Sequence, residues 1–107
     1  MTTLEILKRA REIISKPENW TKGAYYSCRD GNTHHCLVGA IQVAHGGIES
    51  LATGVATMKT KDVCTFLSFS KNRNEALNAA LRFNDGSTHA EVLALMDERI
   101  AQREEKL

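Results

Sequence analysis

No low-complexity tract and no block of like charge interrupts this chain of 107 residues, which excludes intrinsic disorder as its organising principle. Charge of one sign is also lacking. Fourteen Lys and Arg stand against thirteen Asp and Glu, and a formal net charge of +1 gives no overall field to draw the chain onto DNA or an anionic membrane. The start, MTTLEILKRAREII, holds no uninterrupted apolar stretch; that excludes a signal peptide or membrane span there and predicts a cytoplasmic protein. Cysteine is scarce and odd in number. Cys28, Cys36 and Cys64, without an export signal, predict free thiols rather than a disulfide framework. Phosphate-loop patterns are missing, since Gly46-Gly47 belongs to neither Gly-Lys-Ser nor Gly-x-Gly-x-x-Gly. With no internal repeat and no long linker, residues 1–107 read as a single domain.

What is present is ordinary globular material, 42% hydrophobic and 25% charged, with strong helix signals. Thr2 and Glu5 have capping-box spacing, so the first helix is expected to begin near Thr3. Its Ile6, Leu7, Ala10, Ile13 and Ile14 share one arc while Glu5, Lys8, Arg9 and Glu12 lie outside it. Pro17 ends that helix in a tight turn, and Trp20 is expected to pack back on the core. From Thr21 to His35 helical period is lost; Asp30-Gly31-Asn32 suggests a loop or a short twisted hairpin. Cys36 to Ala44 is apolar on nearly every face, as a central helix requires, and Gly46-Gly47 provides its stop. A short helix is expected over Ile48 to Thr57. Asp62 to Phe69 fits helix or strand, with helix preferred. Asn72 with Glu75 opens another helix that is expected to stop at Asn84-Asp85-Gly86. Thr88 with Glu91 opens the last, whose Val92, Leu93, Met96 and Ile100 share a stripe and whose end is expected to fray from Arg103. The fold class is all-α: about five helices round one core, with an irregular or hairpin-like excursion between the first two.

Three stretches carry a family resemblance: Ala10-Arg11-Glu12-Ile13-Ile14 with Trp20 and Gly23-Ala24; Cys36-Leu37-Val38-Gly39-Ala40-Ile41; and Phe83-Asn84-Asp85 leading into Thr88-His89-Ala90-Glu91-Val92-Leu93. In order and spacing the chain resembles DUF6197, an uncharacterised family of bacterial and phage proteins. His35 stands where that family often has an aromatic residue. The resemblance implies a small bacterial or phage accessory protein, acting alone or as a homo-oligomer, and by analogy one that binds and inhibits a host component.

Several constellations could carry chemistry. Cys36 at a helix start is a nucleophile if the helix N-terminus lowers its pKa, with His34, His35 or His89 as base and Asn84 or Asp85 orienting the imidazole. That set describes a hydrolase or transferase. Against it, cysteine is a common small core residue, and His89 is expected at an exposed first-turn position. Cys28, His34, His35 and Cys36 are zinc-type ligands, but their spacing is poor for a tetrahedral site, so no metal and no cofactor is assigned. Lys59, Lys61, Lys71, Arg73 and Arg82, with Asn72, Asn74 and Asn78, form a basic and amide-rich set that could meet nucleic acid; Asp62 and Glu75 dilute it. A small anionic, nucleotide-like ligand could pair with Arg29, Arg73 or Arg82. The leading expectation is a non-enzymatic binding protein. Its surface would be Trp20, Tyr25, Tyr26, Arg29, His35, Asn84 and Asp85, and its partner a protein or a second copy of the chain.

Overall fold

The structure is a computed structural model, and it describes residues 2–24, 26–29, 32–46, 58–67 and 71–105. Helix α1 spans Thr3–Ile13. Thr2 Oγ1 accepts from the Glu5 amide at 3.1 Å and the Glu5 carboxylate accepts from the Thr2 amide at 2.9 Å, so the capping box is closed in both directions. Ile6, Leu7 and Ala10 are buried on its inner face, with Ile14 just beyond its end. Pro17 opens a single 3-10 turn, Pro17–Asn19. Two short antiparallel strands follow, β1 (Tyr26–Arg29) and β2 (Asn32–His35), with Tyr26 opposite His35, Ser27 opposite His34 and Cys28 opposite Thr33. The excursion is therefore a hairpin. Its alternation sends Cys28 and His35 to one face and His34 to the other.

Helix α2 is Leu37–Ala44, and every residue from Leu37 to Gln42 is buried, which makes it the central helix its composition called for. Cys36 precedes this helix as its N-cap and is not part of it; at the other end Gly46 takes φ +90°, a left-handed angle that glycine adopts without strain. Helix α3 is Met58–Phe66, α4 is Arg73–Gly86 and α5 is His89–Glu105. Of the segment Asp62 to Phe69, which fitted helix or strand, the residues to Phe66 are helical, in a helix that begins at Met58; Ser68 and Phe69 lie outside the described residues. The helix expected over Ile48 to Thr57 lies outside the described residues, as do Gly47, Tyr25, Asp30 and Gly31.

Of the last two helices, one ends as expected and one does not. Helix α4 ends at Gly86, within the Asn84-Asp85-Gly86 stop expected for it, and the Asn84 side chain is drawn into contacts with other segments. Helix α5 does not fray at Arg103: the Arg103 guanidinium lies 5.4 Å over the Phe66 ring and Glu104 pairs with Lys8 at 3.3 Å. The last turn thereby gains two tertiary contacts.

One core joins these elements. Leu7 and Ile14 meet Leu37 and Ile41, Val63 and Leu67, and Val92 and Met96, all almost fully excluded from solvent. Helix α1 packs on α2 and α5, and α3 packs on α4. The result is a mainly helical domain of five described helices with one short hairpin. Among the described residues no helix is long and apolar enough to cross a membrane.

Candidate functional site

The excursion leaves the helices at Trp20 and returns at Cys36, and one side chain meets both ends. Asn84, with 0% exposure near the C-terminal end of α4, accepts at Oδ1 from Trp20 Nε1 at 2.7 Å and from the Leu37 amide at 3.0 Å. Its Nδ2 donates to the Thr21 carbonyl at 3.1 Å and to Asp85 Oδ1 at 3.4 Å. Both donors and both acceptor directions of the amide are thus used. The Leu37 amide is the first of α2 and has no partner within that helix, so Asn84 caps α2 from another helix. Asp85 continues the brace by accepting from the Gly23 amide at 2.9 Å, where Gly23 takes φ +78°.

Trp20 is held on three sides. Besides its bond to Asn84, its ring centroid lies 5.6 Å from that of His89, tilted by 45°, and Lys22 Nζ sits 5.5 Å over it. His89 is half-buried, not exposed as expected, because its Nε2 reaches the carbonyl of Ile14, 2.6 Å away. A carbonyl only accepts, so that nitrogen carries the proton and satisfies a carbonyl left over at the end of α1.

Cys36 is 1% exposed, and its sulfur accepts from the Gly39 amide at 3.3 Å. Burial pushes its thiol from the ordinary 9.0 up to about 11, with the nearby Asp85 charge adding to the rise; hydrogen bonds from the Gly39 and Val38 amides offset only part of it. The expectation of a lowered pKa at this helix start is corrected: desolvation outweighs the amide donors, and the group is a neutral thiol at physiological pH. Cys64 is likewise pushed up to about 12, first by burial and then by Cys36. His89 makes its hydrogen bond to Ile14 and Cys36 makes its own to Gly39; no hydrogen bond joins the two side chains.

The hairpin separates the zinc-type residues. Cys28 is exposed with its sulfur 3.9 Å from Thr33 Oγ1, Cys36 is buried, and His34 is on the face opposite Cys28. Among the described residues no group of three or more His, Cys, Asp or Glu is placed to hold a metal ion. His35 is half-buried, and burial followed by repulsion from His34 holds its pKa below the ordinary 6.5. Its carbonyl accepts from the Thr21 amide at 3.0 Å, and Trp20 bridges to it in parallel, so the base of β2 is stitched to the same brace. Tyr26 and Arg29 are strand residues whose side chains lie outside what is described.

Two polar features had no motif to announce them. Ser27 Oγ and His34 Nε2, from directly opposed residues of the hairpin, are buried with no hydrogen-bond partner. Thr60 Oγ1 donates to Gln42 Oε1 between α3 and α2, and therefore accepts from His45 Nε2 at 2.8 Å. The signal for the second was a Gln and a Thr at inward positions of otherwise apolar helical faces.

The fold, the Trp20–Asn84–His89 brace and the Cys36 cap engage the residues in which the family resemblance lies, and the family match runs over residues 1–102. The chain belongs to DUF6197, a family of unknown function. No curated protein and no solved structure matches it. For this DUF6197 chain, what the site can do has to be argued from its own atoms.

Proposed function

We propose that this DUF6197 chain is a non-catalytic binding protein that offers its β1–β2 hairpin to a partner protein, a host component where the source is a phage. The observation that supports this is a contrast in unspent hydrogen-bonding capacity. Cys36 Sγ, the Asn84 amide, Asp85 Oδ1 and His89 Nε2 are each engaged in bracing, whereas Ser27 Oγ and His34 Nε2 on the hairpin have no partner. Buried polar atoms are nearly always satisfied in folded proteins, so two orphans in one opposed pair suit a hairpin whose hydrogen bonding is completed when it shifts onto a partner. On the other face Cys28 and Thr33 are exposed. A rigid base suits recognition, because little order has to be gained on binding.

Cys28 is the exposed one of the three free thiols, so a photo-crosslinker attached there reports what lies against the hairpin. Capture from cells of the source organism is expected to yield one product that unlabelled protein competes away. The Ser27→Ala/His34→Gln variant is expected to lose it. The control carries the crosslinker at Ala94→Cys on α5, in a Cys28→Ser background, and is expected to give none. Identical products from both positions, or full capture by the double variant, would sink the proposal.

A further inference from the structure

The basic and amide-rich residues that stood apart in the sequence converge in space. Met58, Asp62 and Thr65 of α3, with Lys71 just ahead of α4 and Arg73 and Asn74 in its first turn, line an open cleft of about 530 Å³. Charge within it is unbalanced. Among the described residues Asp62 is its one carboxylate and is engaged by Arg73, Nε to Oδ1 at 2.6 Å, while both side chains remain partly exposed, 57% for Arg73 and 39% for Asp62. Lys71 is exposed and has no ion partner among the described residues, and Lys61 Nζ donates to Asn74 Oδ1 at the cleft wall at 3.0 Å. Beside these cations lies Met58, 57% exposed and the exposed large hydrophobic among the described residues.

We propose that this cleft docks an acidic segment of a partner protein, its carboxylates meeting Lys71 and the outer edge of the Arg73 guanidinium and an apolar side chain covering Met58. The surface is distinct from the hairpin and does not depend on it. Charge complementarity selects an anion, and the guanidinium fork suits a carboxylate in two-point contact. The exposed thioether then decides among anions. Inorganic phosphate satisfies the cations and leaves Met58 in water, whereas a peptide combining Glu or Asp with Leu uses both, methionine being an adaptable apolar contact. Nucleic acid is disfavoured because a net charge of +1 supplies no wider field for a phosphate backbone.

The test is fluorescence anisotropy of the full chain with a labelled eight-residue peptide of alternating Glu and Leu, at low salt. Three parallel probes are a Gln-for-Glu peptide, inorganic phosphate as competitor, and a labelled single-stranded oligonucleotide. The acidic peptide is expected to bind, to shift the Met58 methyl resonance, and to weaken about tenfold in the Lys71→Glu/Arg73→Gln variant, whose fold is checked by circular dichroism. Met58→Ser is expected to weaken the acidic peptide while leaving phosphate competition unchanged. Absence of binding, equal binding of the Gln peptide, preference for the oligonucleotide, or indifference to the double variant would each overturn the proposal.

Discussion

Asn84 shows how much one buried amide can organise. Replacing it by alanine strands the Trp20 indole N–H and the first amide of α2, both in the interior; the expected loss is about 2–4 kcal/mol, read from urea denaturation. The three cysteines are expected to separate cleanly under a thiol reagent. Cys28 should react in the native state, while Cys36 and Cys64, both buried, should react only on unfolding, a difference that intact mass counts directly. Their titration also has a sign. Both thiols are raised in the fold, so above the unfolded value of 9.0 the unfolded chain loses protons that the folded chain keeps. Stability contributed by the neutral thiols is complete below that pH and is expected to fall as pH rises from about 9 to about 12, measured as a declining urea midpoint.

At the level of elements, capping was the most legible signal. Thr2 with Glu5 and Thr88 with Glu91 close their boxes as spaced, and Asn72 accepts from the amides of Asn74 and Glu75. Asn72→Ala is expected to cost about 1 kcal/mol, visible as a lowered Tm. Such signals are local, which is why three or four residues suffice to read them. The stop of α4 at Asn84-Asp85-Gly86 was legible too, whereas the end of α5 was not, because its last turn depends on partners far along the chain, Lys8 and Phe66. The candidate set Cys36, Asn84, Asp85 and His89 was found by residue type. Only the fold could show that its members brace the chain, since burial and a carbonyl at Ile14 decide what Cys36 and His89 can do. The hairpin carries its own pH response. His35 is held below its ordinary 6.5, so the stability tied to its neutral form is full above that pH and is lost as pH falls through the lower folded value. The His35 ring resonance is expected to titrate below 6.5 and to move upward in a variant that releases the hairpin.

For the whole molecule, α2 is the axis on which the other helices depend. Ile41, fully buried at its centre, is expected to cost about 3 kcal/mol when cut to alanine, with a single cooperative transition retained. A net charge of +1 gives no general affinity for polyanions, and the intact protein is expected to leave duplex DNA unretarded in a gel at about 50 mM salt.

The junction at Asn84 has a consequence for how this chain can vary. Because the departing residues Trp20 and Thr21 and the returning residue Leu37 are fastened to the same amide, the interval between them is a closed insert whose length is decoupled from the helices. Closing a longer loop costs little more than closing a short one, so the tip between β1 and β2 can be lengthened, shortened or replaced with the bundle left as it is. A chain built this way can exchange its recognition element without redesigning its core, and it offers a helical platform for displaying loops of other sequence.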